Sequence, residues 1–472
     1  MWTQRDQIQA YQFLRRRLVS ALVAADANHP ASPSRRLVLG TVLGLAAALL
    51  VTAVFGVIGL LNPSGGKDWL AGGHVIVEEG TGARFVLGAD GAVHPVLNYA
   101  SARLLAGGNG ATVSVSSTDL GTAPRGTEIG ISGAPDSLPA TTALVSAPWT
   151  SCSRTTQDAP ASAEPLVAVV LGAPAAGTEL PRGSGVIVRL PAGPRYLVTD
   201  GRRYQLSDEA AAALQFDSYP TIAVSSRWID TVPAGRDLGE IALPGAGGPG
   251  PRVGGVNTRV GEVLAVVDAM ASAGDAASYY LVHSDGLEPV GQTEASLLVT
   301  TPDNERAYDG NPAPVRVRAA DVAAVPKVAA SRAGGADPAA YPDRIPGKAP
   351  ITGSSVTLCA QGGRIFVSAD VPVPPGGRAL PVTTRRDARV ADEVYVPPSG
   401  GAVVSDTGSG TTYLVTDLGR KYPVATAPAL ASLGYGSVAR QAHASGLLAL
   451  VPTGPALDPA TAGQPVPSGG TG

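Results

Sequence analysis

The sequence lacks any G-x-x-x-x-G-K-S/T run, the loop whose glycine amides cradle a nucleotide's phosphates while its lysine and hydroxyl serve phosphate and Mg²⁺. The nearest fragments fail, since Gly66-Lys67 is followed by Asp68 and Gly347-Lys348 by Ala349. A G-x-S-x-G elbow and an H-E-x-x-H helix are also missing, which removes the usual signatures of serine hydrolases and zinc proteases. The five histidines, His29, His74, His94, His283 and His443, are scattered singly, and two cysteines do not complete a four-ligand zinc site. No metal or other cofactor and no catalytic residue is therefore expected. Charge is scarce too: 15% of residues are charged and the net charge is −3, so no basic field invites nucleic acid.

Abundance lies elsewhere. Gly 59 and Pro 41, with 44% hydrophobic residues, favour many short strands and turns over long helices. The exception is Leu37 to Leu61, which has no charge, amide or proline. At about 1.5 Å per residue this run spans roughly 37 Å as a helix, enough to cross a hydrocarbon core of about 30 Å. A cleaved signal peptide is the competing reading, but its apolar stretch is about 7–15 residues and ends in an A-x-A-like site, whereas NPSGG follows Leu61. Arg5, Arg15, Arg16, Arg17, Arg35 and Arg36 precede the span against Asp6 and Asp26, and only Lys67 and Asp68 follow it closely, which places the N-terminus in the cytoplasm. Within residues 1–36, Ile8, Tyr11, Leu14, Leu18 and Leu22 recur at helical spacing. This amphipathic helix is read either as lying on anionic lipid through Arg15, Arg16 and Arg17 or as docking a cytoplasmic partner through them, the second being preferred.

Beyond the span one pattern returns four times: ARFVLGADGAVHPVLN from Ala83, PRYLVTDGRRYQLSD from Pro194, SYYLVHSDGLEPVGQT from Ser278 and TTYLVTDLGRKYPVAT from Thr411. Each copy has a strand, a turn at Asp90-Gly91, Asp200-Gly201, Asp285-Gly286 or Asp417-Leu418-Gly419, and a second strand. Turn chemistry accounts for all of these aspartates except Asp417 better than a carboxylate site does. An N-cap candidate, Asn98, Ser207, Thr293 or Thr426, then opens a short helix, and another apolar strand precedes each hairpin, so the expected unit is three strands and a helix. Three copies close with APRGTEIG from Ala123, VPAGRDLG from Val232 and VPTGPAL from Val451, a tail the third copy is expected to lack.

Two strand-rich stretches outside the repeats hold Cys152 and Cys359, and an outer, oxidising compartment lets them pair and pin two halves of a central β domain. The expected architecture is a single N-terminal transmembrane helix (37–61) and a mainly β (α+β) extracytoplasmic region of four repeats around that disulfide-linked domain. The boundaries read as repeat 1 at 62–130, the central domain at 131–175 with 351–376, repeat 2 at 176–245 and repeat 3 at 255–325. A connector covers 326–350, repeat 4 covers 377–457 and a disordered tail covers 458–472. Pairs of repeats should flank the centre, the first two preceding it and the last two lying around the second cysteine strand.

The order of a QIQAYQFLRRRLVSALV helix, one span, four strand-helix repeats and a WTSC…LC cysteine pair resembles the EccB family of type VII (ESX) secretion systems over nearly the whole chain. The resemblance implies a scaffold subunit in the inner (plasma) membrane, self-associating and assembled with EccC, EccD, EccE and a mycosin protease, with a Cys152–Cys359 disulfide. Family members are also described as ATPases, which would make ATP a ligand. The repeats further resemble a wall-binding subunit of a phage lysin, which implies peptidoglycan as a partner.

Overall fold

The computed structural model describes residues 3–24, 33–61, 67–107, 110–146, 148–155, 163–267, 276–329, 340–351, 356–374, 377–382 and 389–466. Gln4–Ala24 is a helix, and a second helix runs Pro33–Leu61. Its segment Val38–Val57 is long and apolar enough to cross a membrane, and none of it is buried in the chain.

The chain beyond this helix is mostly short strands. Among the described residues four sheets share one strand order, third–second–first–fourth. The first unit uses Val75–Glu78, Arg84–Leu87, Val93–Pro95 and Thr112–Val115; the second uses Ser184–Arg189, Arg195–Thr199, Arg202–Leu206 and Thr221–Ala223. The third uses Val263–Val267, Ala276–Val282, Leu287–Val290 and Val315–Val317; the fourth uses Gly401–Asp406, Thr412–Thr416, Lys421–Val424 and Gln441–His443. Three strands form an antiparallel meander, and the fourth returns beside the first in parallel after a helical crossover. This fourth strand corrects the three-strand expectation. Segments as short as Thr221–Ala223 or Gln441–His443 sit on a sheet edge and need no apolar run, so periodicity does not reveal them.

The hairpin turns follow their sequence, most clearly at Asp200 (φ 46°) and Gly201 (φ 72°), where two successive left-handed residues match the twist of the flanking strands. Asn98, Ser207 and Thr426 each accept a hydrogen bond from the third residue beyond, at Ser101, Ala210 and Ala429. Thr293 does not cap. The third helix, Gln292–Thr300, starts at Gly291, which places Thr293 inside it and buried.

The third unit does have a closing tail, contrary to expectation. Parallel bridges join Val93 to Arg125, Arg203 to Ala234, Leu287 to Lys327 and Lys421 to Thr453, so Val325-Pro326-Lys327 occupies the place of the other tails. What it lacks is the glycine. A Cβ on Gly126, Gly235 or Gly454 would collide with the ring of His94, Tyr204 or Tyr422 on the third strand. The equivalent third-strand residue of the third unit is Glu288, which has no ring, and Val328 stands where the others have glycine.

The central sheet has seven strands in the order Leu380–Pro381, Glu393–Tyr395, Leu166–Val170, Thr150–Arg154, Thr357–Gln361, Arg364–Ser368 and Thr178–Glu179. Thr178–Glu179 lies in the range expected for repeat 2, and Leu380–Pro381 and Glu393–Tyr395 in that expected for repeat 4, yet all three strands pair in the central sheet. The connector is corrected as well, because Gly347–Lys348 adds to the second sheet beside Ser184–Gly185. In the expected disordered tail, Pro459–Ala462 is a short helix capped by Asp458. The Val466 amide donates to the Glu128 carbonyl at 3.0 Å and Pro465 bridges Ile129, so this tail packs on the first unit, while 467–472 lie outside the described residues.

The pairing of units is also corrected. One apolar cluster joins Ala100, Leu104 and Ile131 to Leu430, Leu433 and Tyr435, uniting the first unit with the fourth. Another joins Leu197, Leu206 and Phe216 to Leu281, Leu297 and Leu298, uniting the second with the third.

Candidate functional site

The chain's best-built polar and covalent cluster is the hub where the central sheet holds the second and fourth units. Cys152 and Cys359 are bonded, directly opposite in register on adjacent antiparallel strands, with Cα atoms 4.0 Å apart and no exposure. On the same strand Thr150–Arg154, the Ser151 carbonyl accepts from Trp228 Nε1 at 3.0 Å, and Ser151 and Thr231 hydroxyls meet at 2.8 Å. These contacts fix the short helix Ser226–Ile229 of the second unit. Arg227 adds a two-pronged pair with Asp392, donating from one NH to Oδ1 at 3.2 Å and from the other to Oδ2 at 2.9 Å; Asp392 also accepts the Val167 amide at 2.8 Å. The fourth unit is held by Trp149, whose ring lies 4.6 Å from that of His443. Burial holds the His443 imidazole below its ordinary pKa, favouring the neutral ring. Trp149, Trp228, Ile229, Leu448 and Val451 share one apolar cluster with Val167, Val169 and Leu358 of the sheet.

Each unit carries a cation over the aromatic residue of its second strand: Arg125 over Phe85 at 4.7 Å, Arg203 over Tyr196 at 5.7 Å, Lys327 over Tyr280 at 5.2 Å and Lys421 over Tyr413 at 5.7 Å. In the first and third units the cation comes from the tail, and in the second and fourth from the third strand. Burial lowers the Lys421 pKa to about 8, with Asp406 opposing that shift.

Among the described residues no group of three His, Cys, Asp or Glu side chains is placed to hold a metal ion. The turn aspartates lie in four separate units and are not brought together. Asp90 accepts the Ala92 amide at 3.0 Å, Asp200 the Gly183 amide at 2.9 Å and Asp417 the Ser399 amide at 3.0 Å, which are turn and loop bonds. Arg15, Arg16 and Arg17 are exposed on Gln4–Ala24, as are Ile8, Tyr11, Leu14, Leu18 and Leu22 on the same helix. Sequence reasoning missed Trp149, Trp228, Asp392 and His443 as members of the hub; Trp149, directly ahead of the hub strand, was the available signal.

Comparison with known proteins is consistent along the whole chain. A family profile described as the type VII secretion system ESX-1, transport TM domain B (EccB), matches residues 1–465. The ESX-3 secretion system ATPase EccB3 of Mycolicibacterium smegmatis is 28% identical over 453 residues, covering 90% of this chain and 82% of the relative. The ESX-5 secretion system ATPase EccB5 of Mycobacterium tuberculosis is 27% identical over 449 residues, covering 89% and 85%. A chain of the intact ESX-5 inner membrane complex shares the fold, with a TM-score of 0.64 at 24% identity over 100% of this chain and 97% of that one. The EccB3 dimer of the ESX-3 core complex gives a TM-score of 0.61 at 25% identity, over 83% of this chain and all of the other. One candidate span and this match along residues 1–465 agree, and the chain belongs to the EccB family of type VII secretion systems.

Proposed function

We propose that this chain is a membrane-anchored scaffold of a type VII secretion complex, its helix Gln4–Ala24 in the cytoplasm and its disulfide-clamped β region in the periplasm. The observation that carries the reading is the family match over residues 1–465 on a chain with one candidate span, Val38–Val57. Self-association and inner-membrane partners are supported by similarity to the chain of an EccB3 dimer and to a chain of an inner membrane complex. The four sheets are four copies of one unit, supported by their common strand order and by the cation–aromatic pair in each. EccC, EccD and EccE are the cytoplasmic-side and membrane partners in this reading, and Arg15, Arg16 and Arg17 with the apolar stripe beside them form the docking face.

The test is co-purification in detergent. Replacing the three arginines by glutamate should reduce recovery of the membrane partners while leaving the outer region folded; undiminished recovery would remove the docking role.

A second reading, ATP hydrolysis by the outer region, is favoured by the names of the curated relatives. Against it stands the absence of a phosphate-binding loop in the sequence. Turnover near the ordinary scale of about 1–100 per second, lost on a single substitution and free of co-purifying motor protein, would decide for the enzyme.

A further inference from the structure

The four units expose the same edge, their fourth strand, and two of them use it. In the second unit the Ala223 carbonyl on that strand accepts from the Thr155 hydroxyl of the central domain at 3.1 Å. In the fourth, the Gln441 side-chain amide donates to the Val145 carbonyl, and His443 stacks on Trp149. The edge is thus a docking element within this chain. In the third unit the sheet ends at Val315–Val317 among the described residues, and a groove of about 510 Å³ lies along it instead.

The groove has its own wall. The hairpin Pro249–Val253 and Val256–Arg259 precedes the third unit and forms a separate two-stranded sheet, with no counterpart beside the other three units among the described residues. Val256 on the hairpin is 67% exposed and Val315 on the edge strand 41% exposed, although both are aliphatic. Along Val315-Arg316-Val317-Arg318 apolar and cationic side chains alternate, and the period of a strand sends them to opposite faces. Arg318 is held by Asp321, with two contacts of 3.0 Å; Arg316 is exposed and forms no ion pair among the described residues.

We propose that this edge takes up an extended segment of a partner protein as an added strand, and that the segment alternates apolar and acidic residues. Main-chain hydrogen bonds to the open edge supply affinity, and the side-chain alternation supplies choice. Apolar residues of the segment lie against Val315, Val317 and Val256, and its carboxylates face Arg316. A charged edge of this kind repels a second cationic edge, so a copy of the same strand is a poor occupant.

The experiment uses the full chain in detergent and two fluorescent peptides, Val-Glu-Val-Glu-Val-Glu and Val-Lys-Val-Lys-Val-Lys, followed by polarisation. The glutamate peptide should bind about fivefold or more tightly than the lysine peptide, the scale of a cross-strand charge preference, and should protect the amides of Val315 to Val317 from exchange. Arg316→Glu, a surface change, should reverse the preference, and Val256→Ser should weaken both peptides alike. Equal binding of the two peptides, no binding of either, protection elsewhere in the chain, or an unchanged preference in the Arg316→Glu chain would each overturn the proposal.

Discussion

Lys327 and Lys421 stand at different positions of their units yet reach the same two carbonyls. Lys421, on the third strand, donates to Leu448 at 2.7 Å and Val451 at 2.5 Å; Lys327, on the tail, donates to Val322 and to Val325 at 3.0 Å. Leu448 and Val322 are each the fourth residue of the short helix after the edge strand, and Val451 and Val325 follow three residues later. The two lysines thus approach from opposite sides of the parallel bridge that joins third strand and tail. In these two units one ammonium satisfies the helix end, and the bridge pair decides only which strand provides it.

This swap is testable. Lys421→Met should destabilise the fourth unit by about 1–3 kcal/mol, the cost of leaving buried carbonyls unpaired. Moving the cation across the bridge, with Lys421→Val and Thr453→Lys together, should restore a large part of the loss. Hydrogen exchange in the fourth sheet measures both, and a double variant no better than Lys421→Met would count against the equivalence.

Cys152→Ser should cost the central sheet about 2–5 kcal/mol, since the bond closes a loop between residues 207 apart in sequence. Insertion of Val38–Val57 into the membrane should be unaffected. Urea midpoints of oxidised wild type and variant, beside a membrane-extraction assay, check the two halves.

Gly235→Ala should be destabilising by about 1–3 kcal/mol, because its new methyl meets the Tyr204 ring, and overpacking forces shifts of neighbours. Pairing it with Tyr204→Ser should relieve part of that strain, as the ringless third unit, with Val328 opposite Glu288, already does. A variant as stable as wild type in thermal unfolding would show that the ring moves freely.

His443 gives a pH dependence with a definite sign. Its folded pKa lies below the unfolded value, which is near 6.5, so the unfolded chain binds more protons in the window between the two. Its contribution to stability is therefore complete above about pH 6.5 and is lost as pH falls through that window. His443→Phe, which keeps a ring on Trp149, should flatten this part of the melting-temperature profile between about pH 7 and 5 relative to wild type.

Local physics made much of this protein legible in one dimension. An uncharged run from Leu37 to Leu61 has one favourable environment, and Asp-Gly turns between β-branched strands make hairpins wherever they fall. Asn98, Ser207 and Thr426 cap because a short oxygen-bearing side chain ahead of a helix meets its free amides. The order of these parts was enough to indicate the family. Long-range choices needed the folded chain. The four units present similar apolar helices, so periodicity does not say which will meet; complementary faces around Leu104 and Leu433, and around Leu214 and Leu298, pair the first unit with the fourth and the second with the third. The third tail escaped notice because its glycine is needed only opposite a ring, and Glu288 has none. Glu393–Tyr395 likewise joined the central sheet against its place in sequence, because a strand binds whichever edge offers backbone partners and an apolar face, here Ala168 to Val170.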